Sequence, residues 1–424
     1  MMNSDYVRLK IADGIHIPFS KELALRLTLC LAWVPLLLNY LRGVYIRVPL
    51  IGEQNVDKAI AISVAFCVLC SLPALINRFC LLDYAFYFLN VFYVVSCYAF
   101  FPENGIFLDE LAPICIFQVF VYYFVGRLID IEHLFPTLVF LSAVCIFADI
   151  YYYLYLVPQD KSAGEAIMYD NMNGAYMILP HVLMLLWSTL ETFRIWKAFV
   201  TVIGLLFLLS CGTRGPFLCI AFFGIIYFFF YMNFRGAIYV KTGIITFAAV
   251  LIANLNSVLY SITMFFAERG LSTRILEHFA SGEMENDTHR SVLREKLESV
   301  LQSGDHFWGL GAFGCRNHDV IYSHFMPLDV ASTFGYFTGY LILLLLAVLI
   351  VTALRLSRGT KRQVFIVFLI SLGIVKLFLS NTFLLEPYFY MLIGVCMKEV
   401  LEAWLSTASA RKSDESLLNA SSLP

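Results

Sequence analysis

Charge is what this chain has least of. Only 14% of its 424 residues are Asp, Glu, Lys or Arg, against 60% hydrophobic, and the mean hydropathy is +0.78. A water-soluble domain of this length needs far more polar surface, so the composition excludes one and points to a polytopic membrane protein. There is no basic stripe to bind nucleic acid, and a net charge of -2 favours no partner. The eleven cysteines have neither disulfide nor zinc spacing and fall mostly inside apolar segments, where a thiol acts as a small packing residue. His278, His289, His306 and His318 lack the i, i+4 spacing of a helical ligand pair, so no metal site is expected. The "GLG" at 309–311 is a turn signal, too short for a nucleotide loop. No small-residue cleavage site follows the polar opening residues, so the first helix is expected to be retained.

Long apolar runs dominate instead, with 39 Phe and 24 Tyr suited to wide apolar faces and interfacial anchors. Crossing a hydrocarbon core of about 30 Å takes roughly 20 apolar residues, and about twelve segments qualify. They are 23–41, 57–76, 81–101, 107–126, 134–157, 172–190, 195–211, 216–233, 239–264, 328–354, 363–381 and 384–404. The expected fold is therefore an all-α polytopic membrane protein. It divides into a cytoplasmic N-terminus at 1–22, spans one to nine at 23–264, a large helical loop at 265–327, the last three spans at 328–404 and a disordered tail at 405–424. Orientation follows from the short loops. With the N-terminus inside, the cytoplasmic face collects Arg78, Arg127, Arg194, Lys197, Arg235, Lys241 and the cluster Arg355, Arg358, Lys361, Arg362. Both termini then lie inside, although the first external loop carries Arg42, Arg47 and Lys58 against the trend.

One arginine interrupts the nearly uncharged run 199–232. In "LLSCGTRGPFLCIAFF", the cluster Gly212-Thr213-Arg214-Gly215-Pro216 is good turn chemistry, and Pro216 suits the first turn of a following helix. The run reads as two helices, with Arg214 at the outer membrane boundary. The long loop faces the same side. Its "HRSVLREKLESVLQSG" has helical apolar spacing, with Asp287 or Thr288 to cap it and Gly304 to end it. Arg290 and Arg294 stand one turn apart on that helix, Arg274 lies in "LSTRIL", and His324 precedes the next span. Arginine forks suit phosphate oxygens, and a histidine beside them suits a proton acceptor.

Plainer roles compete with these. An arginine at a helix end serves as an interfacial anchor, and a pair on a loop helix serves as a solvated face. Asp149, Asp329 and Lys376 fall within or near spans, where an ionisable group costs roughly 2.5–3.5 kcal/mol on insertion scales and needs a partner or a wet cavity. Carriers have such residues too, but the two halves of this chain show neither similarity nor paired broken helices.

Taken in order, "SCGTRGP", "HRSVLREKLESVLQSGDHFWGLGAFG" and "YSHFMPLDVASTFGYFTGYLILL" resemble the O-antigen polymerases and O-antigen ligases. In that family a small-residue-Arg-Gly turn, a large periplasmic loop and a histidine before the next span follow one another. "YDNMNGAYMILP" resembles the Asn-rich start of a span in the same family, and "ERGLSTRILEHFASGE" looks like a segment of the repeat-unit polymerases in particular. The resemblance covers roughly 165–390. It departs at Phe325, where many relatives have Asn, and at Arg294, where relatives often carry an aromatic.

The resemblance implies a GT-C-like glycosyltransferase architecture in the bacterial inner membrane, with a periplasmic site, no cofactor and no metal. The donor would be an undecaprenyl-diphosphate-linked oligosaccharide, with membrane lipid around it and a chain-length regulator protein as partner. It assigns catalysis to His324, Arg290 and Arg214, and substrate binding to Arg274, Arg294, Asn173, Tyr176 and His318. A repeat-unit polymerase is the leading expectation. A ligase acting on lipid A core or protein, and a polyprenyl-linked glycan transporter or flippase, are the alternatives.

Overall fold

The computed structural model describes residues 6–12, 15–20, 55–76, 78–151, 166–211, 213–232, 288–303 and 308–421, with isolated positions between 22 and 30 and between 238 and 264. Spans 23–41 and 239–264, and Arg274, fall largely or wholly outside these residues.

The body of the described chain is helical, and one feature precedes it. Strands β1 (Tyr6–Ala12) and β2 (Ile15–Ser20) form an antiparallel hairpin, with Tyr6 opposite Ser20 and an irregularity between Lys10 and Ala12. Alternating Val7, Leu9 and Ile11, then Asp13-Gly14, then Ile15, Ile17 and Phe19, is the period-two pattern that specifies this pairing. The opening residues, expected only as a polar terminus, therefore carry a sheet.

The helices follow the apolar runs closely. They are α1 (Val56–Ile76), α2 (Leu81–Phe100), α3 (Gly105–Leu128), α4 (Ile131–Tyr151), α5 (Ala166–Glu191), α6 (Ile195–Ser210) and α7 (Gly215–Ile226), the last extended by a π turn at Tyr227–Tyr231. After the loop helix α8 (Thr288–Ser303) come α9 (Met326–Phe334), α10 (Tyr336–Leu356), α11 (Lys361–Ile370) and α12 (Pro387–Ser421). Among the described residues, four helices are long and apolar enough to cross a membrane: Leu81–Phe100, Pro102–Leu128, Ile131–Tyr151 and Tyr336–Leu356.

Three boundaries differ from expectation. The span expected over 328–354 is broken at Gly335, whose φ of 82° and ψ of 160° suit glycine alone. The Ser332 carbonyl that this break strands accepts the Leu310 amide at 2.6 Å. The span expected over 363–381 ends in a π turn (Ser371–Val375) and a 3-10 turn (Lys376–Phe378). Finally, the tail expected to lack structure continues α12 to Ser421; between Gly394 and Pro424 the sequence has no glycine or proline to stop a helix.

The bundle is organised around α3 against α12. A Cβ on Gly126 would lie 2.2 Å from the Met391 carbonyl oxygen, and one on Gly394 would lie 2.4 Å from that of Tyr123. Two bare backbones touch there, which is how small residues hold apolar helices together in lipid. Charge is sorted to the two ends. At one end, Arg127 Nε and Nη2 reach the Asp83 carboxylate at 2.8 and 3.1 Å, Tyr123 donates to the same carboxylate, and Lys398 donates to the Ile129 carbonyl at 2.7 Å. Arg362 joins Glu399 and Glu402 nearby, and Lys361 joins Glu191 at 2.9 Å. Burial pushes the Asp130 carboxyl up at this end, but Lys398, His133 and Arg362 outweigh it and hold it below its usual range.

At the other end the loop after α8 docks onto the α2–α3 hairpin. Asn104 donates to the carbonyls of Leu310 and Ala312 at 2.8 and 3.2 Å, and a Cβ on Gly311 would strike the Phe101 ring. Leu297 and Leu301 of α8 bury against Leu310, Cys315, Val320 and Leu328, a second small core. The described part of the long loop is thus packed structure, as its helical spacing implied.

The α3–α12 contact gives a direct prediction. Gly126→Ala lowers stability by about 1–3 kcal/mol, because the obstructing atoms are backbone and cannot rotate away. Gly126→Leu prevents recovery of folded protein. Thermal unfolding in detergent, against an exposed lipid-facing control such as Leu89→Ala, checks both.

Candidate active site

The residues singled out from the sequence gather at the loop end of the bundle, around Tyr176. This side chain stands in α5 and faces the turn before α7: a Cβ on Gly215 would fall 1.8 Å from the Tyr176 hydroxyl. Only glycine after Arg214 lets that hydroxyl reach the turn. The same hydroxyl lies beside Ser380 and within electrostatic range of Arg290 and Tyr322. Arg214 and Arg290 are both half-buried, Arg214 at the N-cap of α7 and Arg290 in the first turn of α8.

Lys376 closes the floor. Its ammonium sits 5.1 Å from the centre of the Tyr176 ring and 2.7 Å from Glu386 Oε2. Glu386 is fully buried, and its Oε2 also accepts from Asn381 Nδ2 at 3.0 Å. Asn381 takes the left-handed conformation, φ 71°, which its short amide tolerates, and its Oδ1 accepts the Thr382 amide at 2.9 Å. Thr382 in turn donates to Asp329 at 2.7 Å, and the Phe383 amide donates to the same carboxylate oxygen at 3.2 Å. Two of the three intramembrane charges thus have full partners. The third, Asp149, lies 3.8 Å from His181 deeper in the bundle.

His324 enters from the loop. Its Nδ1 lies 3.1 Å from the Leu379 carbonyl, next to Ser380. A carbonyl accepts only, so Nδ1 carries the hydrogen in this contact. The Tyr322 ring stands 4.4 Å away, centre to centre. His324 has φ 54°, an uncommon conformation for a residue with a Cβ, and its neighbours hold it there. Arg294 Nη2 donates to the His324 carbonyl at 2.7 Å, Arg294 Nε to the Ser323 carbonyl at 3.4 Å, and Ser323 Oγ to the Phe325 carbonyl at 2.8 Å. The Arg294 guanidinium also lies 5.3 Å from the Phe325 ring centre. The two positions at which the chain departs from the resembled family are therefore in contact with each other.

Six of the eight residues expected at the site can be placed by their side chains. Arg214, Arg290, Tyr176 and His324 share one region, and Arg294 holds the His324 turn. His318 ends a 3-10 turn at Gly314–His318, and no polar contact joins it to the others among the described residues. Asn173 lies one turn before Tyr176 on α5, and Arg274 is outside the described residues. Glu386, Asn381, Ser380 and Tyr322 were missed. The signal for Glu386 was Lys376 itself, since a cation in a span demands an acid and Glu386 is the one across the following turn.

Chemically, the arrangement offers two arginines and a lysine for an anion, hydroxyls for a polar ligand, and an oriented imidazole to accept a proton. Comparison of the chain with protein-family models, with curated proteins and with solved structures finds no match.

The ion pair is testable by itself. Lys376→Met and Glu386→Gln each destabilise by about 3–5 kcal/mol, because each leaves a buried charge alone, and the double variant recovers most of that loss. Thermal unfolding of the three variants in detergent measures the coupling.

Proposed function

We propose that the chain is an inner-membrane glycosyltransferase that polymerises lipid-linked oligosaccharide repeat units of an O-antigen, capsule or exopolysaccharide. The donor is a growing glycan on undecaprenyl diphosphate, and the acceptor is the next lipid-linked repeat. The observation that carries this reading is the convergence of Arg214, Arg290, Tyr176 and His324 at one end of an apolar bundle. It is joined by the ordered motifs that resemble the polymerase and ligase family. In this reading the loop end is periplasmic and both termini are cytoplasmic, as the loop charges favour.

The acceptor hydroxyl oxygen attacks the anomeric carbon of the donor. The bond from that carbon to the diphosphate oxygen breaks, its electron pair leaves with the polyprenyl diphosphate, and His324 takes the hydroxyl proton on Nε2. A single displacement of this kind inverts the anomeric configuration. Arg214 and Arg290 face the leaving diphosphate, whose charge grows in the transition state, so they lower the barrier more than they tighten ground-state binding. Arg294 acts through His324 as a positioning residue. Asn173 and Tyr176 line the saccharide path, Arg274 supports the diphosphate, and a chain-length regulator sets how often the cycle repeats.

The ligase reading shares this donor chemistry and differs in acceptor. The carrier reading draws on the buried Asp149 and Lys376. A deletion strain separates the first two: loss of a polymerase leaves single repeats on the surface lipid, and loss of a ligase leaves none.

With purified protein, lipid-linked repeats and EDTA, product lengthening persists, Arg214→Ala lowers kcat about 10²–10³-fold, and His324→Ala lowers it about 10²–10⁴-fold. Unchanged lengthening in both variants sinks the site assignment. Glycan movement across vesicles that needs Asp149 and Lys376 but not His324 replaces the enzyme with a carrier.

A further inference from the structure

Helix α5 from Tyr176 onward, α7, and α11 with the π and 3-10 turns that follow it connect the Tyr176 region to a second cavity. Tyr176 to Glu191 along α5 is about 22 Å at the α-helical rise, so the two regions stand near opposite faces of a hydrocarbon core. The second cavity measures about 740 Å³. Its inner wall is apolar: Trp187, Phe222, Ile226, Val364, Val367 and Ile370. Its rim is polar, formed by the α10–α11 turn with Arg358, Gly359, Thr360 and Lys361, together with Glu191. Phe230 also lines it and is 67% exposed, so the mouth opens toward the flank that faces lipid.

The rim charges are unequal. Lys361 is matched by Glu191 at 2.9 Å and is further held over the Phe135 ring. Arg358 is exposed and has no carboxylate within ion-pair distance among the described residues, nor has Arg355 one turn earlier on α10. Glu191 cancels Lys361, and the rim keeps a net positive charge at Arg358. The turn that carries Arg358 is built rather than loose. Thr360 caps α11, the Gly359 amide donates to Gln363 Oε1 at 3.0 Å, and Gln363 Nε2 donates to the Leu354 carbonyl at 3.0 Å. The π turn of α7 sets Tyr227 and Tyr231 along the same wall, a common use of a π turn at binding sites.

We infer that this cavity binds one anionic phospholipid from the adjacent leaflet, its acyl chain in the apolar slot and its phosphate on Arg358. An apolar slot that opens sideways to lipid, beneath an unmatched guanidinium at headgroup level, fits an amphiphile whose charge is a phosphate. A neutral lipid leaves Arg358 unanswered, and a free phosphate leaves the slot empty. The assignment does not depend on the reaction at the other end.

The test uses the full chain in neutral detergent. Micelles doped with dioleoyl phosphatidylglycerol, dioleoyl phosphatidylcholine or inorganic phosphate alone are compared by thermal shift. Phosphatidylglycerol raises the melting temperature by about 3 °C or more, and the other two do not. Arg358→Gln, at an exposed position that leaves folding intact, abolishes the shift. Ile226→Trp, which fills the slot, abolishes it with Arg358 in place. An equal shift with phosphatidylcholine means that an anionic headgroup is not preferred to a zwitterionic one, and an equal shift with phosphate alone means a surface ion; either overturns the proposal. So does a phosphatidylglycerol shift that survives Arg358→Gln.

Discussion

A carboxylate with no access to water fixes the geometry of the loop end. Glu386 must meet a cation, and Lys376, placed by the π and 3-10 turns that end α11, is the one it meets. That pairing sets the turn between α11 and α12, and the turn supplies nearly everything else in the region. Ser380 lies beside Tyr176, the Leu379 carbonyl receives His324, Asn381 donates to Glu386 Oε2, and Thr382 answers Asp329. The Arg214 turn approaches only because Gly215 yields to Tyr176. One buried charge thus governs the placement of side chains from α5, α7, the loop and α12.

The rest of the molecule obeys the same rule at lower stakes. Most ionisable groups are sorted into two layers, with Asp149 and His181 deeper in the bundle, and the backbone contact of Gly126 and Gly394 adjoins the Arg127 layer. Lipid offers no hydrophobic force to drive helices together, so close packing and satisfied polar groups carry the assembly. The layer around Arg127, Asp83, Lys398 and Arg362 is dense with such pairs, and the layer around Tyr176 is looser and richer in hydroxyls.

Apolar runs made the helices legible, because a span must be long and uncharged whatever it packs against. The break before α7 was also legible, from glycine and proline beside Arg214. The interruption at Gly335 was not, since a single glycine in an apolar run is common in membrane helices, and only the loop returning to Ser332 explains it. The N-terminal hairpin does not stand out among the apolar runs, because Arg8 and Lys10 alternate with Val7, Leu9 and Ile11. Of the residues singled out in the sequence, Arg214, Arg290, Tyr176 and His324 come together at one end of the bundle. Arg294, expected to touch substrate, has a fork that bonds two carbonyls of its own chain, a contact that helical spacing does not announce. The sequence also left Arg294 and Phe325 as separate oddities, where the fold makes them one contact. Partners distant in sequence, such as Tyr176 with Ser380, depend on which helices touch, and helical period carries no information about that.

The Leu310 amide that meets the Ser332 carbonyl makes the long loop part of the membrane domain's own hydrogen bonding. A helix end at that depth would otherwise leave acceptors bare in a setting with little water to serve them. The segment around Gly309 and Leu310 fits so closely that even a methyl group on Gly309 would collide with Gly335. Loop and span are accordingly a single folding unit. Replacing the segment around Gly309 and Leu310 with a foreign one would strip the Ser332 carbonyl of its amide, so changes there have to keep this backbone contact in place.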